Sequence, residues 1–326
     1  MDFKLCHRSG VRYVSMLIFF CVAVSVISAV THYSIPEEME QGSVVANLAL
    51  DLGLDAKSLG RRNMRLDVIA NKRYLEINKD TGELFVSEKI DREYICNSKN
   101  PSCFLKMDVT IENPIRLFNI EVEIMDINDN APFFRRDTMH LDISESTSPG
   151  ERFSLPNAVD PDFGSNSVKN YHLSKNQHFA LEIQTGRDGS KFADLIVKTS
   201  LDREKQAVHN LILTAVDGGV PTRTGTASII VRVLDVNDNA PSFEKEKYVV
   251  DVMENSPIGS LVIKLNATDL DEGSNSEIVY SYSLYTSERT QKMFNLNPEN
   301  GEIRVKEMIN YEDLKLYEME IIASDK

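Results

Sequence analysis

The chain has 326 residues, 42% of them hydrophobic, and a formal charge of −14. That length allows two or three ordinary domains, and the apolar content is enough to build cores, which excludes a disordered chain. The acidic balance excludes nucleic acid as a partner, because phosphate recognition needs a basic face.

Residues 1–29 read as a signal peptide. Lys4, Arg8 and Arg12 form a basic start, Val14 to Ile27 is apolar, and Ser28 and Ala29 are small, as a cleavage site needs. The apolar run is shorter than the ~20 residues a membrane helix requires, which favours cleavage over an uncleaved anchor. No later stretch can span a bilayer, so any membrane attachment comes from a segment missing from this chain. Cys6 and Cys21 leave with the signal, and Cys96 and Cys103 remain. An even pair in an oxidising compartment reads as a disulfide around a short polar loop. Two free thiols are the alternative, and zinc would need further ligands that are not nearby.

After the signal, the chain repeats itself. Glu37 stands five residues before Gly42, as Glu145 does before Gly150 and Glu254 before Gly259. Asp91-Arg-Glu93 returns as Asp202-Arg-Glu204 and more loosely as Asn310-Tyr-Glu312. Asp126-Ile-Asn-Asp-Asn-Ala-Pro132 returns 109 residues later as Asp235-Val-Asn-Asp-Asn-Ala-Pro241. Asp160-Pro-Asp162 with Gly164 and Asn166 returns, again 109 later, as Asp269-Leu-Asp271 with Gly273 and Asn275. Motifs that keep both order and spacing mark tandem structural repeats.

Between the motifs the chain reads as β. Ile120–Ile124, Gly82–Val86 and Gly301–Lys306 alternate apolar and polar residues, as half-buried strands do. Ser228–Leu234 and Lys247–Val252 are rich in β-branched residues. Asp217-Gly-Gly219 and Asn300-Gly301 read as turns; no long helical periodicity is present, which leaves room only for short helical turns, for instance near Asp55–Leu59. Many short strands in units of ~100 residues predict an all-β fold of tandem immunoglobulin-like sandwiches. Proline suits a stretch between domains because it cannot join a sheet ladder. Repeat 1 is therefore 30–132, repeat 2 is 133–241 and repeat 3 is 242–326. By the repeat spacing, the third lacks its last strand, and the sequence reads as truncated.

The acidic motifs suit a hard cation. Calcium takes six to eight oxygens, and extended chain places residues i and i+2 on one side, so Asp-x-Asp and Asp-Arg-Glu each present two carboxylates. One such motif alone is a solvated turn; the full recurring set is not. These motifs resemble cadherin extracellular repeats over essentially all of residues 32–326. The resemblance implies three calcium ions at each boundary between repeats. At the first boundary it implies carboxylates from Glu37, Asp91, Glu93, Asp126, Asp129, Asp160, Asp162 and Asp217. Asn128 would add its side chain, and Ile127, Asn130 and Asn166 their carbonyls. At the second it implies Glu145, Asp202, Glu204, Asp235, Asp238, Asp269, Asp271 and Asp325, with Asn237, Val236, Asn239 and Asn275 in the matching roles. Glu37 is preferred to its neighbour Glu38 for its distance to Gly42. Without the signal the net charge is −16, and the two sets hold sixteen carboxylates, so the rest of the chain is balanced.

Within that family, the chain is similar to clustered protocadherins. Tyr33-Ser-Ile-Pro-Glu-Glu-Met39, Asp51-Leu-Gly-Leu54, the cysteine pair after Asp91-Arg-Glu93, and Ala215–Gly219 with Gly225-Thr-Ala227 carry the likeness. The cysteines enclose six residues here where five are usual, and Asn310 replaces the usual aspartate. No tryptophan is present, which excludes adhesion by exchange of a tryptophan-bearing strand. The resemblance implies homophilic recognition of identical or closely related molecules on the opposing cell through antiparallel contact of the first four repeats. It also implies partners in cis and a place on the extracellular side of the plasma membrane. Asn266-Ala-Thr268 is a glycosylation sequon, which stays unmodified if it lies on a strand. An enzyme is not expected. The histidines at 7, 32, 140, 172, 178 and 209 have no metal-ligand spacing, and there is no nucleophile elbow or phosphate loop. A secreted decoy for full-length receptors is the alternative function.

Overall fold

A computed structural model describes residues 30–68, 72–96 and 100–325. The signal-peptide assignment, with Cys6 and Cys21, lies outside the described residues, as do residues 97–99 of the cysteine loop. Among the described residues no helix is long and apolar enough to cross a membrane.

Among the described residues the strands fall into three sets of seven. The first set is β1 (Thr31–Pro36), β2 (Val44–Asn47), β3 (Arg65–Val68), β4 (Leu75–Ile77), β5 (Glu83–Val86), β6 (Phe104–Ile111) and β7 (Arg116–Met125). They form a sheet β1-β7-β6-β3 and a sheet β2-β5-β4. The second set is β8 (Thr138–Ser144), β9 (Arg152–Ser154), β10 (Val168–Leu173), β11 (Phe179–Thr185), β12 (Lys191–Val197), β13 (Val208–Asp217) and β14 (Thr224–Leu234). They form sheets β10-β13-β14-β8 and β11-β12-β9. The third set is β15 (Ser242–Phe243), β16 (Leu261–Lys264), β17 (Ala267–Thr268), β18 (Val279–Tyr282), β19 (Phe294–Leu296), β20 (Glu302–Val305) and β21 (Ile321–Ser324), in sheets β16-β20-β19, β18-β21 and β15-β17.

Alternation decides which faces are buried. Leu105, Met107, Val109 and Ile111 on β6 point into the first core, as Ala227, Ile229, Val231 and Val233 on β14 point into the second. Each core side chain withdrawn from water contributes about 1.5–3 kcal/mol. Gly82 and Gly301 open the strands expected after them. Both have positive φ, and a Cβ would lie 2.6 Å from Ala49 Cβ at Gly82 and 2.5 Å from the Leu265 carbonyl at Gly301. The turn expected near Asp55 is a single helical turn, Ala56–Leu59, whose Lys57 amide donates to the Asp55 side chain.

Lys247–Val252, expected as a strand, carries no strand assignment. Its counterparts β1 and β8 pair in parallel with β7 and β14, the last strands of their own sets. Among the described residues no strand is paired with Lys247–Val252. Cys96 and Cys103 are bonded, with Cα atoms 5.8 Å apart.

By its contacts the chain divides into two compact units. Of the described residues, one unit holds those from 30 to 132 with 160–169 and 217–223; the other holds 133–159, 170–216 and 224–325. The first set of strands lies in one unit; the second and third sets lie in the other, apart from the first two residues of β10 and the last of β13. Each unit contains one of the acidic clusters described next.

Candidate metal centres

In the first unit, the parallel register of β1 on β7 sets the geometry. Ile35 lies opposite Ile124, and the ladder ends with the Glu37 amide donating to the Met125 carbonyl at 3.0 Å. Glu37 is thereby delivered to the Asp126–Asn130 segment that follows β7. Its carboxylate is only 2% exposed and accepts the amides of Arg92 at 2.6 Å and Ile127 at 3.0 Å. Glu38 turns aside at φ 62° and pairs with Lys89. Asp91 caps the helical turn Arg92–Ile95, accepting the Tyr94 amide at 2.8 Å, and so presents Glu93 beside Glu37. Carboxylate oxygens of Glu37, Asp91 and Glu93 lie within 4.8 Å of one another, as do those of Glu93, Asp129 and Asp162.

The loops 160–169 and 217–223 complete this cluster. Asp162, 2% exposed, accepts the Asn130 amide and, at 2.8 Å, its side chain. Asp160 accepts the Asp162 amide, and Asp217 accepts the amides of Gly219 and Arg223. Asp126 accepts the Phe163 amide and the Asn166 side chain, each at 2.8 Å. The Asn166 side chain is therefore a donor inside the cluster, a role beyond the carbonyl that the resemblance implies for it. A Cβ on Gly219 would lie 2.2 Å from Asn128 Cγ, so that turn glycine lets the Asn128 amide approach.

The second unit repeats the arrangement. Glu145 accepts the amides of Arg203 at 2.8 Å and Val236 at 2.7 Å. Asp202 accepts the Lys205 amide, Asp271 accepts the Asn239 side chain at 2.8 Å, and the Asn275 side chain donates to Asp235 at 2.9 Å. Oxygens of Glu145, Glu204 and Asp235 converge within 4.8 Å, as do those of Glu204, Asp238 and Asp271. Asp269, Asp271 and Asp325 do the same.

One pair of participants escaped the sequence analysis. Arg92, 2% exposed, reaches Asp126 at 3.4 Å and Glu93 at 3.6 Å. Arg203 contacts Asp235 and, at 2.5 Å, Glu204. The signal was present: an arginine sits between the two acids of both Asp-Arg-Glu motifs.

These cations do not neutralise the clusters. Burial, reinforced by the neighbouring Glu37, pushes Glu93 up to about 8. Burial, with the charges of Asp162, Asp217 and Asp126, pushes Asp160 up to about 7. Glu37, Asp129, Asp162 and Asp238 are also raised, each chiefly by burial. Asp235 is lowered: burial opposes this, but the Glu272 amide, Asn275 and Arg203 outweigh it. Four buried oxygens, Glu93 Oε1, Asn128 Oδ1, Asp160 Oδ2 and Asp269 Oδ2, have no hydrogen-bond partner. Buried acceptors without a partner are rare and need one. An all-oxygen set without thiol or imidazole fits a hard divalent cation rather than zinc.

Asn266 is exposed and stands between β16 and β17, just ahead of the strand.

Residues 30–113 match a family described as cadherin-like, and residues 139–234 and 248–326 match the cadherin domain family. Human protocadherin-10 is 45% identical over 313 residues, covering 90% of this chain and 30% of the relative. Human protocadherin gamma-C3 is 44% identical over 323 residues, covering 98% and 34%. The chain thus spans about a third of the length of the curated relatives it matches. Among solved structures, mouse clustered PcdhgC3 EC1-3 superposes with a TM-score of 0.85 at 45% identity, covering 91% of this chain and 95% of that one. Protocadherin gamma C5 EC1-3 gives 0.83 at 46%, covering 90% and 94%.

Proposed function

We propose, from the premise that this chain belongs to the cadherin family as an extracellular fragment of the clustered-protocadherin kind, that calcium fills its two carboxylate clusters and stiffens a cell-surface adhesion module. The module recognises copies of itself on the opposing cell. The repeats are taken as 30–132, 133–241 and 242–326, behind a signal peptide at 1–29 that sends the product to the extracellular face. The chain is not an enzyme, a reading supported by its match to the cadherin domain family and to protocadherin relatives.

The observation that carries the calcium reading is the recurrence of unpartnered buried oxygens at the expected ligand positions. Asp160 Oδ2 and Asp269 Oδ2 are equivalent atoms 109 residues apart, and both lack a partner. The first centre would be held by Glu37, Asp91, Glu93, Asp126, Asp129, Asp160, Asp162 and Asp217 with Asn128, and the second by the matching residues ending at Asp325. Calcium, when bound, supplies the positive charge and the oxygen coordination these atoms lack. Two carboxylates ~4 Å apart repel by a few kcal/mol at an effective dielectric of ~20, so each cluster resists closure without cations. Glu37 and Glu145, each fixed by two backbone amides, hold their positions whether or not an ion is bound.

Thermal melts in calcium and in chelator test the first part. Calcium should raise the midpoint of the intact chain and leave an Asp129→Ala, Asp238→Ala variant nearly unmoved; identical shifts in both proteins would sink it. For recognition, cells displaying this chain within its natural product should aggregate with like cells in calcium and sort from cells bearing another protocadherin. Aggregation indifferent to identity would remove the homophilic part. The soluble-decoy reading draws no support from the relatives.

A further inference from the structure

We propose that Arg92 and Phe163 form a clasp that holds the loop 160–169 on the first sandwich without calcium, whereas the matching loop of the second centre has a carboxylate, Glu272, in place of the ring. The inference rests on the reading that calcium fills both clusters, and it assigns the two centres different behaviour when calcium is withdrawn.

The guanidinium carbon of Arg92 lies 4.8 Å from the Phe163 ring centroid. One edge of the guanidinium donates to the Asn100 carbonyl at 3.0 Å, beside the disulfide-closed segment, and another faces Asp126 at 3.4 Å. The Phe163 amide donates to the same Asp126 carboxylate at 2.8 Å. Arg92, Asp126 and Phe163 thus close on one another, with the arginine 2% exposed. A cation stacked on a ring away from water is held more strongly than one in solvent and is little screened by salt.

The residue 109 positions after Phe163 is Glu272. Its amide still donates to Asp235, so the backbone of the loop is alike, but position 272 carries a carboxylate where Phe163 carries a ring. Arg203 instead meets Glu204 and the Leu270 carbonyl, each at 2.5 Å, and the charge of Glu272. Its side chain is 13% exposed against 2% for Arg92. Ionic contacts of this kind weaken as salt rises. Arg92 is a positioning residue for the loop; calcium touches the carboxylates around it.

Hydrogen exchange of peptides covering residues 160–169 and 269–275 tests this on the whole chain. In saturating calcium both loops should be protected. In chelator the first loop should exchange about thirtyfold more slowly than the second, the scale of one desolvated cation–π contact. The gap should widen between low and high salt. Phe163→Glu, which copies the residue found at the second centre, should bring the first loop to the rate of the second in chelator and change nothing in calcium. Arg92→Lys, which keeps the charge and loses the plane, should act the same way, and Glu272→Phe should slow the second loop. Unchanged exchange of the first loop in both Phe163→Glu and Arg92→Lys in chelator would overturn the clasp. The calcium reading fails separately, by equal exchange of both wild-type loops with and without calcium, because the clasp is judged in chelator only.

Discussion

Glu37 and Arg92 are joined across 55 residues by one bond, the Arg92 amide donating to Glu37 Oε2 at 2.6 Å. The same bond ties Arg203 to Glu145 at 2.8 Å and Tyr311 to Glu254 at 3.3 Å. In all three repeats the backbone of the Asp-Arg-Glu position, and not its arginine side chain, fixes the glutamate. That is why the third repeat keeps the bond although tyrosine replaces arginine.

Glu37→Ala should destabilise the first repeat even in chelator. It leaves the buried amides of Arg92 and Ile127 without an acceptor, and each unsatisfied amide costs about 1–3 kcal/mol. Denaturant unfolding in chelator should show a loss of about 2–4 kcal/mol. Glu37→Gln, which keeps one oxygen, should lose less. An Ala variant as stable as the parent would show that the two bonds are not retained in solution.

The calcium-free chain should become less stable as pH rises. Glu93 is raised to about 8 from an ordinary 4.5, and Asp160 to about 7 from 3.8. A raised folded-state value means that the folded form holds its proton more tightly than the unfolded one. Stability from these groups is full below their ordinary values and is lost as pH climbs toward 7 and 8. Melts in chelator should therefore fall between pH 5 and 8. Calcium, which needs the ionised forms, should reverse the trend and release protons on binding near pH 6.5. Calorimetry in buffers of different ionisation enthalpy reads that release directly; no buffer dependence would contradict it.

Gly219→Ala should weaken calcium at the first centre and leave the second untouched. The added Cβ would sit 2.2 Å from Asn128 Cγ and displace an amide whose nitrogen donates to the Pro221 carbonyl at 2.6 Å. Overpacking of this kind costs about 1–3 kcal/mol, so the affinity of that centre should drop roughly tenfold in a calcium titration.

Asn266 should carry a glycan when the chain passes through the secretory pathway. It is exposed and precedes the short strand β17. Glycosidase treatment should lower the mass of the parent and leave Asn266→Gln unchanged.

Particular residues show how far the sequence could be read. Pairs such as Asp126 with Asp235 and Asp160 with Asp269 are visible because the repeat spacing holds at 109, and Ile120–Ile124 because alternation is a local property. Lys247–Val252 misled for a physical reason: β-branched content reports a preference for extended chain, but a strand exists only when a partner accepts its hydrogen bonds. Arg92 stands in a recurring Asp-Arg-Glu motif, but a surface ion pair is the ordinary fate of arginine, so the motif alone does not show that the side chain is buried among carboxylates.

By itself the amino-acid sequence determined the repeat architecture, the family and the acidic positions, since each is written in local patterns and fixed spacings. Tertiary structure alone decided which oxygens were left without partners, that Gly219 makes room for Asn128, and that Phe163 stacks on Arg92. Those depend on the parallel register that sets Glu37 beside Asp126 and on loops brought together from residues far apart in the chain. Distances of that kind arise only once the sandwich has closed.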